Sequence, residues 1–267
     1  LADPTFDRAT FEARLKTRRL GRPLIARAEV ESTNDVAWDA LAEGAPDGVA
    51  VVADAQTRGR GREGRVWHTA PGRGLALSLG LFEGCERGQL GFVPLVAGLA
   101  LVRGLERLGL ATVRLKWPND VLADGRKLAG ILCESRRMAD GADAAVIGVG
   151  VNVTHAAADF PDDLRAAATS LALAGLATSR EAVAAEFLNA LEPLWTTLQE
   201  GDRESLREAW KARAGGWGEP VTVRNAGATL RGVARDLGAD GSLVLALDDG
   251  REVAVVAGDV ALAAERE

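Results

Sequence analysis

Tyrosine is absent from this chain of 267 residues, methionine occurs once, and histidine and cysteine occur twice each. His68 and His155 are too few for a His-rich metal site. Cys85 and Cys133 have neither CxxC spacing nor the number of a secreted disulfide scaffold, so both are expected to be reduced and structural. No run of about 18 apolar residues is available to span a bilayer. The opening LADPTFDRAT lacks the basic-then-apolar order of a signal peptide, and a cytoplasmic protein with no membrane attachment is the expectation. GxSxG, HExxH and GxxxxGK[ST] are missing as well, and neither cysteine has an evident basic partner, so covalent catalysis by a protein nucleophile is not indicated. What remains is positioning and charge stabilisation, the usual protein contribution to phosphoryl and nucleotidyl transfer.

Lysine is also scarce: of 32 basic residues only Lys16, Lys116, Lys127 and Lys211 are lysines. A GC-rich coding bias accounts for the arginine preference, yet two of the four lysines fall in one stretch, KWPNDVLADGRKLAG. The net charge of -6 argues against bulk affinity for nucleic acid or anionic membranes. Against that background residues 54–79, DAQTRGRGREGRVWHTAPGRGLALSL, interleave Arg58, Arg60, Arg62, Arg65 and Arg73 with glycines. Such a run cannot bury its own guanidinium groups, so the expectation is a mobile loop that becomes ordered around a small anion.

An apolar content of 47% suffices for a real core, and the length suits one large catalytic domain plus a small module. Apolar spacing predicts helices over 6–20, 36–41, 88–108, 180–198 and about 202–213, with Pro94 tolerated in an early turn. Ser32 or Thr33 is either a plain N-cap for the second of these or part of a polar floor for a ligand. Strands are expected over 24–30, 49–55, 74–81, 113–117, 121–123, 127–135 and 144–153, with a hairpin at Asp124-Gly125. From residue 219 onward five short alternating segments separated by turn residues have the pattern of a small barrel. The boundary falls near Gly215 to Gly218, giving units 1–215 and 216–267.

The chemistry-bearing residues are open to two readings each. Guanidinium forks bind phosphate oxygens bidentately while glycines let the backbone come close, but RG tracts also bind RNA. Asn119 and Asp120, after Trp117-Pro118, either help hold a hydrated magnesium ion or form a simple turn. Gly148 and Gly150 mark close approach by a ligand or another backbone, or an ordinary buried strand. Trp67 is either a cap for the loop or a planar surface against a base.

Taken jointly, GRGREGRVW at 59–67, KWPNDVL at 116–122, KLAGIL at 127–132 and GVGVNV at 148–153 resemble, in order, the motifs of bacterial biotin protein ligases, with Ser32-Thr33-Asn34 upstream. The resemblance implies an α+β fold with a mixed, mostly antiparallel sheet flanked by helices, of the class II aminoacyl-tRNA synthetase-like, biotin-lipoate ligase type, and a C-terminal SH3-like β-barrel. It implies that biotin and MgATP give biotinyl-5'-AMP, from which a lysine of a biotin carboxyl carrier domain displaces AMP. The biotin side is then Ser32, Thr33, Asn34, Gln56, Arg60, Gly61, Arg62, Lys127 and Gly130. The ATP side is Arg62, Arg65, Trp67, Lys116, Asn119 and Asn152. Lys127, Arg60 and Asp120 are the catalytic assignments, with Asp120 also the candidate for Mg2+ through the phosphates.

About thirty residues precede the first motif, too few for a separate helix-turn-helix domain, so the ligase-only type without DNA binding is expected. A homodimer stays open, since family members are often dimers. Glu63 adds a negative charge at a variable position inside the loop, and the RRxSGGG-type motif of lipoate ligases is absent. The rival from another class is a nonenzymatic RNA-binding protein with an RG loop and a barrel module.

Overall fold

A computed structural model describes residues 3, 5–82, 89–139, 141–225 and 228–262. Cys85 and the expected helix start at Gly88 lie outside the described residues. Seven strands form one mixed sheet: β1 (Leu24–Val30), β2 (Val49–Gln56), β3 (Gly74–Leu81), β4 (Val113–Lys116), β5 (Asp120–Ala123), β6 (Arg126–Arg137) and β7 (Asp143–Asn152). Their spatial order is β1-β2-β3-β7-β6-β5-β4, parallel between β1 and β2 and antiparallel elsewhere. The β5–β6 turn carries positive φ at both Asp124 (50°) and Gly125 (73°), the backbone that a two-residue hairpin with native twist needs.

Side-chain alternation divides the sheet between two cores. Ala50 and Val52 of β2, the odd-numbered leucines of β3, and Ala145, Ile147, Val149 and Val151 of β7 face one way. Helices α3 (Val93–Arg107) and α4 (Arg180–Gln199) cover that face. Val49, Val51, Ala144 and Val146 face the other way, onto Ala37, Trp38 and Leu41 of α2 (Thr33–Ala42). One ten-residue helix covers only part of this second face, and the remainder becomes the site.

Helix α3 begins at Val93, later than the expected 88, because residues 89–92 form a turn closed by the Phe92 N–H to Gln89 O, with Pro94 in the first helical turn. Two other helices differ from the sequence expectation for a shared physical reason. The first helix, α1 (Arg8–Arg14), stops well short of residue 20. The backbone N–H of Lys16 donates to Asn189 Oδ1, and those of Arg18, Arg19 and Leu20 donate to the Glu192 carboxylate. Side chains of α4 thus satisfy the groups that further helical turns would have satisfied. At α2 the helix begins three residues earlier than expected, because Gln56 Oε1 accepts from the Thr33 N–H at 2.8 Å while the Ser32 side chain makes no capping bond. Nearby, Arg180 and Asp54 form a buried ion pair at 2.7 Å, completed by the Thr5 N–H and hydroxyl.

After α5 (Arg203–Lys211) the chain builds a second, five-stranded antiparallel sheet. Its strands are β8 (Pro220–Asn225), β9 (Ala228–Leu237), β10 (Leu243–Ala246), β11 (Glu252–Val255) and β12 (Asp259–Leu262), in the order β11-β10-β9-β8-β12. The five strands match the sequence pattern, but the edge strands β11 and β12 are not hydrogen-bonded to each other, so among the described residues the sheet is open and not a closed barrel. It docks against the first sheet's layer through Trp117 Nε1, which donates to Gly241 O at 3.0 Å, and through Lys211 Nζ, 2.8 Å from Asp236.

Candidate active site

On the partly covered face of the sheet the residues pointing outward are small. Ala76 on β3, Gly148 and Gly150 on β7 and Gly130 on β6 are cross-strand neighbours, with Gly150 opposite both Ala76 and Gly130. The lack of side chains here leaves a floor, and a cavity of about 280 Å³ stands above it. The α2 start, the 60–68 loop, the start of β5 and residues 155–168 wall it in.

At one end of the cavity polar groups are buried and mutually bonded. Ser32, Thr33 and Asn34 are each less than 5% exposed. Thr33 Oγ1 lies 3.1 Å from Gln56 Oε1, and Asn34 Nδ2 donates to Leu132 O at 3.4 Å. Ser78 Oγ, fully buried, sits 2.8 Å from Thr33 Oγ1 and 2.6 Å from Asn34 Oδ1, and its single proton serves one of them at a time. Ser78 was not among the sequence candidates, although a lone hydroxyl in the apolar strand GLALSLGL was a usable signal. A Cβ on Gly148 would stand 2.4 Å from Asn34 Oδ1, so this glycine makes room for a side chain.

In the middle, Trp67 lies on the cross-strand glycines. A Cβ on Gly150 would be 2.4 Å from its Cε2, and one on Gly130 3.2 Å from its Cζ3. The close approach marked by glycines in β6 and β7 is therefore made by Trp67 and Asn34 side chains. Lys127 Nζ stands 5.9 Å from the centre of the indole and 2.7 Å from Asp120 Oδ1. That oxygen is buried and not approached along a hydrogen-bonding direction, so the pair is a charge contact and the oxygen keeps an unused lone pair. Asn119 is fixed by Ile131, donating to its carbonyl at 2.8 Å.

The arginine run is ordered by the protein's own anions. Arg60 makes a bidentate pair with Asp35 (2.6 and 2.8 Å) and a third bond to Glu134 at 3.1 Å. The Asp35 hydrogen bonds raise its already high pKa against the opposing effect of burial, with Glu134 adding to the rise. Arg58 pairs with Glu31, Arg62 donates to Asn119 Oδ1 and Gly258 O, Arg65 pairs with Asp259 at 2.6 Å, and Arg73 lies 3.4 Å from Asp159. Glu63 is exposed at φ 55°, next to Gly64 at φ 75°.

At the far end of the cavity Asn152 is buried and donates to Thr169 O at 2.9 Å. Beyond it His155, 2% exposed, stacks on Phe160 with centroids 5.3 Å apart, and neither ring nitrogen has a partner. Burial holds its pKa below the ordinary 6.5, with Asp159 opposing and Arg73 reinforcing the shift, so the ring is neutral at neutral pH. Of the residues assigned from the resemblance, all but Lys116 line the cavity; Lys116 sits on β4, opposite Asp120 in register, and from the arginine run Arg58 and Arg73 are not in the lining either.

No cluster of three or more His, Cys, Asp or Glu side chains able to hold a metal occurs among the described residues. Asp120, already in contact with Lys127, and the Asn119 carboxamide do not make a protein-held metal site; a magnesium ion fits here only as part of a nucleotide that carries it in.

Comparison with known proteins agrees with this arrangement. Residues 26–152 match the biotin/lipoate A/B protein ligase family, and residues 217–262 match the biotin protein ligase C terminal domain. A biotin--[acetyl-CoA-carboxylase] ligase of Mycobacterium tuberculosis is 38% identical over 90% of this chain and 88% of its own length. The bifunctional ligase/repressor BirA of Bacillus spizizenii is 35% identical over 88% of this chain and 73% of its own. The biotin protein ligase of Aquifex aeolicus, solved with biotin and ATP, superposes with a TM-score of 0.77 at 27% identity, covering 92% of this chain and 99% of its own. This chain belongs to the biotin/lipoate A/B protein ligase family.

Proposed function

We infer that this protein is an ATP-dependent biotin protein ligase, which activates biotin to biotinyl-5'-AMP and transfers the biotinyl group to a lysine of a carboxylase carrier domain. The observation that carries the reading is one cavity with a buried hydrogen-bonding end, an apolar end and cationic groups between. Gly148 and Asn152 are four residues apart on β7, so the two ends are separated by about 13 Å. That span suits a ligand made of a polar-headed acyl group joined to a nucleotide.

The Thr33, Asn34, Gln56 and Ser78 group is assigned to the ureido head, whose donors and acceptors match alternating hydroxyl and amide partners. The biotin carboxylate is itself the nucleophile, which accounts for the absence of a protein nucleophile. Its oxygen attacks the α-phosphorus and pyrophosphate leaves. Two anions must approach each other, and Lys127 with Arg62 supplies the opposing charge at the middle of the cavity. Asp120 is the resting counter-ion of Lys127. Arg60, saturated by Asp35 and Glu134, holds the loop against α2, and its catalytic effect is through that positioning.

In the second step a neutral amine attacks the acyl carbon and AMP leaves, with the amine proton lost to solvent or phosphate. Trp67, lying across the glycine floor, shields the mixed anhydride from water. Arg65 and Asn152 belong to the nucleotide side, and residues 1–215 act as the catalytic unit with 216–267 as an appended module. The use of ATP fits a cytoplasmic setting, and no helix among the described residues is long and apolar enough to cross a membrane. The acidic net charge of -6 favours a protein acceptor over RNA, which sets aside the RG-loop reading.

Calorimetry with biotin, followed by pyrophosphate release from biotin and MgATP, tests this. Wild type should bind biotin, and Lys127→Ala should keep that binding within a few-fold while losing at least about 100-fold in pyrophosphate release. Absence of biotin binding by wild type would sink the reading, and near-normal release by the variant would remove Lys127 from the chemistry.

A further inference from the structure

The two arginines assigned to the phosphate and nucleotide side, Arg62 and Arg65, are both held by oxygen atoms of the second sheet. Arg62 Nη1 donates to the Gly258 carbonyl at 3.2 Å, and Arg65 Nη2 donates to Asp259 Oδ1 at 2.6 Å. These oxygens belong to consecutive residues at the start of β12. Asp259 is also the one residue of the second sheet that lines the cavity, among the described residues. An acidic side chain has no evident place in a wall that must accept a polyanion, and the mechanism above gives it none.

The carboxylate opposes a bound phosphate in two ways. It occupies a donor that a phosphate oxygen would use, and its charge repels the incoming anion. Arg65 Nε is engaged as well, donating to the Arg62 carbonyl at 3.3 Å. A bidentate grip on phosphate therefore requires at least one nitrogen that already has a partner. The pair is nonetheless able to yield. Its side chains are 53% and 39% exposed, and an ion pair so open to water contributes little. A nucleotide with several phosphate oxygens displaces it and loses part of its own affinity in doing so, in proportion to how rarely Arg65 is free.

We propose that Asp259 sets the affinity of the nucleotide site, as a carboxylate of the second module that occupies Arg65 until ATP displaces it. This rests on the reading of the cavity as the site of adenylate formation. In the resting protein residues 258 and 259 stand in for the anion, and ATP binding passes both arginines from the second sheet to phosphate. Asp259 is a positioning residue, since it acts through Arg65 and takes no part in making or breaking bonds.

The test is steady-state pyrophosphate release at saturating biotin with MgATP varied, on full-length wild type, D259N, R65Q and the double variant. Asparagine keeps the size of the side chain and removes its charge. D259N should lower KM for ATP about two- to fivefold, the range expected for an exposed ion pair, with kcat and KM for biotin nearly unchanged. The gain should shrink at high salt and be mostly absent in the R65Q background. An unchanged KM would overturn the proposal, and so would a raised one, which would mean that Asp259 prepares Arg65 for ATP. An equal gain in the R65Q background would trace the effect to general charge and overturn the route through Arg65. If wild type releases no pyrophosphate from biotin and MgATP, the functional reading fails and this proposal falls with it, whereas normal release with a KM insensitive to D259N overturns the role of Asp259 alone.

Discussion

At the residue scale, the site depends as much on missing side chains as on present ones. Gly130, Gly148 and Gly150 leave the outer face of β6 and β7 bare, and Trp67 and Asn34 occupy the space. A methyl group at residue 150 would lie 2.4 Å from the Trp67 ring, and Trp67 rests on backbone that cannot recede, so the indole must leave its seat. Gly150→Ala should therefore red-shift and weaken the Trp67 contribution to fluorescence, measured against Trp67→Phe, and should reduce adenylate formation about tenfold or more while leaving the melting temperature nearly unchanged. An unchanged spectrum would contradict this placement of Trp67. The alternating glycines of GVGVN were readable in the sequence, but what filled their space was not. The partners come from residues 34 and 67, and no local pattern encodes which distant side chain crosses a strand. Ser78 and His155 were readable in kind, as polar residues in apolar surroundings, but only burial gives them weight, together with the bonds of Ser78 to Thr33 and Asn34 and the lack of a partner for the His155 ring.

At the element scale, strands were more legible than helix ends. Alternation and the Asp124-Gly125 turn locate β5, β6 and β7 within a few residues, because strand registers follow side-chain period. The first helix was overextended because the groups that end it lie about 170 positions away on α4. Three backbone N–H groups of residues 18–20 bond to Glu192, and although burial acts most strongly to raise the Glu192 pKa, these bonds and Arg19 outweigh it and the net shift is downward. A carboxylate with a lowered folded pKa stabilises fully above its ordinary value of 4.5, and that contribution is lost as pH falls through the folded value. Urea midpoints measured from about pH 6 down to about pH 3 should thus fall more steeply for wild type than for Glu192→Gln, which is less stable at pH 6 and carries no charge to lose. Parallel curves would show that Glu192 does not hold the 18–20 segment.

For the whole molecule, the arginine loop ties the two sheets together. The expectation is that its guanidinium groups order around an external anion; in the structure they pair with Asp35, Glu134, Asp159 and, from the second sheet, Asp259 and the Gly258 carbonyl. A sequence cannot reveal that substitution, since the acids belong to four separate segments. The Arg65–Asp259 pair is about half exposed and worth little to global stability. Its consequence is local: Asp259→Asn should make the 58–73 segment more readily cleaved by trypsin without lowering the melting temperature, and biotin with MgATP should restore protection. Equal cleavage of variant and wild type would show that the second sheet does not restrain the loop.

The central claim is that one cavity joins biotin to AMP and hands the acyl group to a carrier lysine. Incubation with labelled biotin, MgATP and a biotin carboxyl carrier domain tests it most directly. Label should appear on the carrier in an amide bond, require ATP, and be lost when the carrier's acceptor lysine is replaced by arginine. Label transfer without ATP, or none from a protein that binds both substrates, would contradict it.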